Sequence, residues 1–514
     1  MTPVACLGGF WFPPSPAAPS RRPAISASSE NPMPDFGPVF HLLGVILLFL
    51  GITMIGPVAL DFYDGSPNAA NFAQVMLETM LFGGLLALAG RSGGPRALTL
   101  RQAYVLTVSI WICIPAFGAL PFMQGAPHAR FTDAYFEAVS GITGTGFSVF
   151  AKVESLPRSV VLWRSMLNWI GGLGIAFVAM VFLPVMRIGG MRYFQIEGFD
   201  TFGKIMPRAK DIARSLLEVY SILSLACMMA YLLCGLSFYD AVVHAMSTIS
   251  MGGFASHDAS FAVFPPAAQY AGTVFMLLSA MPFVRFIQLA RGQGKALWFD
   301  VQVRAMLRWY ACAVVLVIIY RLWRDTGSSE QIIRETAFNI ASMMTGTGLA
   351  VAPIEPWGSF VMVVAFIVGM IGGCTGSTSA ALSVFRVQVV LSVMKSAIQQ
   401  MYAPHRVVQP RYGGKPLDES TIGSLMQYVT AYIMTLGICA VLISLDGADM
   451  TSALFAAWGA LGNIGYAIGP IGGPTGTMVG FGTSATWIMT AAMLLGRLGL
   501  MAFFVLFLPR FWRD

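Results

Sequence analysis

The chemistry this sequence offers most plainly comes from small, uncharged residues. Residues 140–147 read SGITGTGF, 247–254 STISMGGF, 342–349 SMMTGTGL and 459–466 GALGNIGY. Each segment follows a short amphipathic stretch and precedes a long apolar one, and aligning their last glycines superposes Gly146, Gly253, Gly348 and Gly465. Four quasi-equivalent segments in an apolar chain predict a ring of backbone carbonyls that replaces the water around a dehydrated cation. The predicted ion-binding residues are Thr143, Gly144, Thr145 and Gly146, then Ser250, Met251, Gly252 and Gly253. Thr345, Gly346, Thr347 and Gly348 follow, and Gly462, Asn463, Ile464 and Gly465 complete the set. Glycine reaches positive φ without steric cost, which lets carbonyls turn toward an axis. The threonine hydroxyls offer further oxygens, or serve as caps and packing groups. A single TGTG would read as a helix-packing glycine motif; four copies with matching flanks argue for a pore.

Two more groups stand out because they interrupt apolar segments. Gly372, Gly373, Cys374, Thr375, Gly376, Ser377 and Thr378 open a polar break over 372–381, inside a segment (357–394) too long for one straight crossing. Such breaks line or close a cavity at membrane depth, the alternative being a plain kink. Arg497 lies about 12 residues before Pro509 at ~1.5 Å per residue, too deep to snorkel, where a fixed charge is costly. It either packs against oxygens or forms a cationic barrier, and the sequence places it and the break just below the filter as gating elements. Glu137, Asp240 and Glu335 lack a paired base or a metal set, so no catalytic residue and no enzyme is expected.

These residues need helices to position them, and the composition supplies the setting. The 514 residues are 56% hydrophobic and 11% charged, with a mean hydropathy of +0.71. A soluble domain has about 25% charged residues, so the chain belongs in a lipid bilayer. Seven cysteines without paired spacing suggest neither disulfides nor zinc. Spans of ~20 apolar residues are predicted near 39–60, 71–90, 102–124, 161–186, 213–236, 266–290, 303–323, 357–394, 422–445 and 482–509. Lys and Arg crowd alternate loops, while 61–70, 237–265 and 446–480 contain none. Arg130, Lys152, Arg158, Arg324 and Arg334 are the outward exceptions. Both termini are therefore expected in the cytoplasm. The same placement explains the net charge of +7 without nucleic acid.

The expected fold is an all-α polytopic membrane protein with four parallel helix–pore loop–helix repeats around one pseudo-fourfold pore. Residues 1–38 read as a disordered tail without a signal peptide, with Met33 as an alternative start. Two extra helices occupy 39–97, and the repeats occupy 98–200, 201–297, 298–416 and 417–514. Short half-helices are predicted over 131–139, 238–246, 333–341 and 450–458. Asp133, Asp240 and Glu335 lie near their starts, where a carboxylate suits the helix N-terminus, with Ser452 as a cap in the fourth. Their negative ends face the filter, which suits a cation.

Residues 132–141 (TDAYFEAVSG), 163–174 (WRSMLNWIGGLG), 247–258 (STISMGGFASHD), 372–378 (GGCTGST) and 493–498 (MLLGRL) carry a resemblance. Over roughly 39–513 the chain resembles TrkH-type subunits of the Trk/Ktr/HKT superfamily of potassium transporters, and its two extra helices resemble the Trk branch. The resemblance implies potassium uptake across a bacterial inner membrane, a homodimer with one pore per protomer, and a cytosolic TrkA-like nucleotide-binding partner that controls gating. It implies no covalently bound cofactor, K+ being the transported ion, and the four aligned glycines imply preference for potassium over sodium. Potassium–proton or potassium–sodium symport, or the potassium-carrying subunit of a P-type pump, are alternatives within this architecture. Ser379, Ala380 and Ala381 stand where the family commonly has three glycines, and Gly499 where it often has Glu; stiffer gating is the expected consequence of the former.

Overall fold

The computed structural model describes residues 36–91, 98–177, 209–325, 327–405, 408–473, 477–498, 504–505 and 509–513. Among these the regular structure is helical apart from one two-stranded antiparallel hairpin, Arg411–Tyr412 with Lys415–Pro416. The predicted tail lies outside the described residues up to position 35, and helix begins at Gly37, ahead of the predicted start at 39. Gly37–Thr53 and Ile55–Asp64 form one 28-residue span, and Asn68–Ala89 returns beside it. A Cβ at Gly44 would meet Gly83 O at 2.5 Å, so the two helices touch through small residues, as membrane helices do when backbones approach closely.

Four repeats follow. In the first, Leu100–Gln124 leads to the half-helix Phe131–Thr143 and then to Arg158–Phe177. In the second, Ala209–Leu233 precedes the half-helix Phe238–Ser250. Its second crossing, predicted as one span over 266–290, is instead two helices, Pro266–Ser279 and Phe283–Ala290, bent by 94°. The third repeat runs Val301–Arg324, half-helix Ser329–Thr345, then Ser359–Ile371 and Val384–Tyr402 either side of the predicted break. The fourth runs Glu419–Leu445, half-helix Met450–Gly462 and Thr483–Leu498. By length and composition, six described helices can cross a membrane, or seven with the bent pair. Predicted spans 161–186 and 482–509 continue into residues outside those described, as does Gly499.

All four half-helices run a turn further than predicted, ending at Thr143, Ser250, Thr345 and Gly462. The third also starts earlier, capped by Ser328, whose hydroxyl accepts from Gln331 N. Glu335 therefore sits a turn inside it, paired with Arg321 at 3.0 Å, and Glu330 takes the first-turn position. In the fourth, Asp449 is the cap rather than Ser452, accepting from Thr451 N and Ser452 N at 3.1 Å each. Bonds from the Ser452 side chain and these N–H groups hold the Asp449 carboxyl below its ordinary range. The half-helices are buried almost throughout. Irregular backbone at membrane depth is thereby enclosed by protein, the condition under which it is tolerated.

Candidate ion pathway

Each half-helix ends in a left-handed residue: Gly144 (φ 65), Met251 (φ 57), Gly346 (φ 84) and Asn463 (φ 50). Two positions on, the backbone turns left-handed again at Gly146 (φ 87), Gly253 (φ 73), Gly348 (φ 82) and Gly465 (φ 66). The four segments thus share one backbone path. At the second turn a side chain is excluded by the neighbouring repeat as well as by φ. A Cβ on Gly146 would lie 2.5 Å from Gly252 O, and one on Gly348 would lie 2.6 Å from Ile464 O. One on Gly253 would collide with Thr347 O, and one on Gly465 with Thr145 O. The order of contact is first on second, second on third, third on fourth and fourth on first. That cycle is a closed ring of four carbonyls from quasi-equivalent positions.

The threonine hydroxyls also bond within the protein. Thr143 Oγ1 donates to Val139 O at 2.7 Å, and lies 2.7 Å from Thr145 Oγ1. Thr345 Oγ1 and Thr347 Oγ1 repeat the 2.7 Å contact. Asn463 Nδ2 donates to Thr145 Oγ1 at 2.8 Å, joining the fourth segment to the first. Ser250 Oγ donates to Ser247 O at 3.3 Å. These bonds tie down helix ends and link neighbouring segments.

A set of supports beyond the filter escaped the sequence reading. Nine positions before each ring glycine stand Glu137, His244, Asn339 and Ala456. The first three are fully buried and accept from the backbone N–H three residues past the ring. Val149 N donates to Glu137 Oε2 at 3.0 Å, Ser256 N approaches His244 Nε2 at 3.4 Å, and Val351 N donates to Asn339 Oδ1 at 3.1 Å. Glu137 also binds Arg164 at 2.7 Å, both side chains at most 2% exposed. Arg164 Nη2 donates to Ser148 Oγ at 3.0 Å, and its guanidinium lies 4.1 Å over the Phe254 ring of the second segment. Ala456 makes no such bond, and Ser452 Oγ instead accepts from Ile471 N at 3.3 Å. In the sequence only the spacing of nine residues ahead of each ring glycine links these positions, because their residue types differ.

On the other side of the ring the predicted break and Arg497 meet. Arg497 Nη2 donates to Thr378 O at 2.8 Å, and a Cβ on Gly144 would lie 3.2 Å from that nitrogen. The loop reaches the half-helix ends as well: Thr378 Oγ1 donates to Ile249 O at 3.2 Å and Ser379 Oγ to Thr345 O at 2.7 Å. Its own backbone is secured by the other broken crossing. Cys374 N donates to Ala280 O at 2.9 Å, and Phe283 N to Gly376 O at 3.0 Å. Gly373 N donates to Ser379 Oγ, Thr375 N to Gln302 Oε1 and Ser377 Oγ to Cys374 O. Gly372 opens the loop at φ 75, and Ala381 (φ 60) and Ser383 (φ 75) hold left-handed turns without glycine.

Comparison with known proteins agrees with this geometry. A family model described as "TrkH: Cation transport protein" matches residues 68–513. The Trk system potassium uptake protein TrkI of Halomonas elongata is 34% identical over 481 residues, covering 93% of this chain and 97% of that protein. The Trk system potassium uptake protein TrkH of Escherichia coli is 30% identical over 487 residues, covering 93% and 100%. The crystal structure of the potassium transporter TrkH from Vibrio parahaemolyticus superposes with a TM-score of 0.84 at 27% identity, covering 93% of this chain and all of that one.

Proposed function

The chain belongs to the TrkH family of cation transport proteins, and from that premise we propose that it takes up potassium across a bacterial inner membrane. The observation that carries the proposal is the cycle of close approaches joining Gly146, Gly253, Gly348 and Gly465 to the carbonyls of the next repeat. A ring of that kind binds a cation by substituting oxygens for its hydration shell. The negative ends of four half-helices add to the attraction. Ser250, Met251, Gly252 and the other filter residues predicted from sequence contribute through their backbone, with K+ as cargo rather than resident cofactor. The relatives named above are uptake proteins, not enzymes, in keeping with the sequence expectation.

Gating belongs to the same proposal. The loop over 372–381 and Arg497 close the path beneath the ring, and the bond from Arg497 to Thr378 O supports that reading. At short range a guanidinium opposes a passing cation by several kcal/mol even at an effective dielectric of about 20. A homodimer, cytoplasmic termini and a TrkA-like nucleotide-binding partner complete the proposal on the strength of the family. The test is rubidium and potassium uptake into proteoliposomes holding the purified chain, with sodium as competitor and voltage and proton gradient set independently. Uptake that follows the potassium gradient and resists excess sodium is expected. Failure to move either ion would refute the function, and uptake driven against the potassium gradient by protons or sodium would replace a channel with a symporter.

A further inference from the structure

Three ligand-bearing side chains converge on one hydroxyl in the second repeat. Asp240, in the first turn of the half-helix, and His244, one turn later, share a helix face. With His257, beyond the filter, they bring a carboxylate oxygen and two imidazole nitrogens within 4.8 Å of one another. Ser256 Oγ lies among them, 2.8 Å from Asp240 Oδ1, 2.8 Å from His257 Nδ1 and 3.1 Å from His244 Nε2.

A hydroxyl has one proton to give. If Ser256 donates it to Asp240, both imidazoles must donate to the serine. His244 Nε2 then carries hydrogen and cannot accept from the Ser256 backbone N–H at 3.4 Å. If Nε2 keeps its lone pair for that N–H, the hydrogen moves to Nδ1, which is buried and finds no partner among the described residues. Either tautomer leaves a buried donor unmet, and unmet buried donors are destabilising. The same three groups also suit a divalent cation, because a carboxylate and two neutral imidazoles are all lone-pair donors, His244 then keeping its hydrogen on Nδ1. Two histidines and one carboxylate, with a hydroxyl or water as fourth ligand, suit zinc and its neighbours.

We propose that Asp240, His244 and His257 form a binding site for a zinc-class divalent cation at the outer mouth of the pore, and that occupation lowers ion flux. The route is open: His257 is half-buried and lines a recess shared with Gly146 and Gly253. The coupling follows from the supports described above. His244 stands where Glu137 and Asn339 hold the first and third segments, and a metal on Nε2 takes the lone pair that would hold Ser256 N. The flux consequence rests on the proposed transport function; the binding does not.

The test has two independent readings on the full chain. Zinc bound per protein in detergent is measured by competition with a fluorescent chelator, and rubidium uptake is measured with zinc in the external solution. One zinc per chain is expected, with uptake falling about fivefold or more, while magnesium, which favours oxygen ligands, has no effect. His257→Ala and Asp240→Asn are each expected to weaken zinc binding at least about tenfold. His257→Ala should also keep zinc-free uptake, which doubles as the check that it folds. Absence of zinc binding, or unchanged affinity in both variants, overturns the site. Zinc bound here without any change in uptake overturns the coupling. Absence of zinc-free uptake in the parent chain counts against the transport function and leaves the binding result standing.

Discussion

The first and fourth repeats contribute adjacent members of one carbonyl ring, yet they place their buried charge on opposite sides of it. In the first, the Glu137–Arg164 pair lies on the Ser148 side, past the ring glycine. In the fourth, Ala456 replaces the acid, and the charge is Arg497 on the half-helix side. The second crossings confirm the equivalence. A Cβ on Gly171 would strike Ile142 O, and one on Gly496 would strike Leu461 O, the carbonyls four positions before the two ring glycines. The residue after each is then Gly172 in the first repeat and Arg497 in the fourth. A Cβ on Gly172 would lie 3.0 Å from the Ser250 Cα, so no side chain fits there. Fourfold symmetry is thus a property of the backbone near the ring, and the side chains that hold it are free to differ.

The largest effect should come from removing one partner of the first repeat's charge pair. Glu137→Ala leaves Arg164 buried without its counter-ion, a loss of about 3–5 kcal/mol, read as a lowered thermal midpoint in detergent. Replacing both Glu137 and Arg164 by methionine should recover part of it. Equal stability of Glu137→Ala and the parent would show that the first repeat needs its charge no more than the fourth does.

The ring itself should treat the two repeats alike. Gly146→Ser and Gly465→Ser both force a side chain onto left-handed backbone and against a neighbouring carbonyl. Each is expected to lower potassium uptake or the potassium-to-sodium ratio by roughly tenfold or more. If only one of the two does so in competitive flux assays, the ring is not functionally fourfold.

Arg497→Ala tests the fourth repeat's charge. Removing a guanidinium from beneath the ring should raise partner-free rubidium flux about threefold or more, the repulsion at short range being several kcal/mol. A folded variant with equal or lower flux would make the arginine a structural tie to Thr378. The smallest effect is expected from Ser452→Ala, which removes the bond to Ile471 N and should cost about 0.5–1.5 kcal/mol. A loss matching that of Glu137→Ala in the same melting assay would erase the contrast between the repeats.

Much of this was legible because backbone conformation leaves its mark on residue type. Left-handed turns select glycine, and seven of the eight such positions in the filter are Gly or Asn, Met251 being the exception. That bias is why four glycines could be aligned without a structure. The half-helix ends were misread by a turn because SGIT and its counterparts read equally well as helix or as filter. The 94° bend was missed although Pro282 lies in it, since an uninterrupted apolar run concealed a residue that disrupts helices. The supports were hidden for another reason. Acid, imidazole, amide and methyl occupy one structural position, and no pattern of residue type joins Glu137, His244, Asn339 and Ala456.

Ser379 gives the proposed gate a second property. Its hydroxyl accepts from Gly373 N and donates to Thr345 O, while Thr378 Oγ1 donates to Ile249 O. The loop therefore bonds to carbonyls at the ends of two half-helices. If the loop is the gate, opening it would free those oxygens of their donors, and a cation beneath the ring is the available replacement. On that proposal the loop and its cargo would compete for the same carbonyls, and a high internal potassium concentration is expected to hold the pore open by occupying what the loop must recover to shut it.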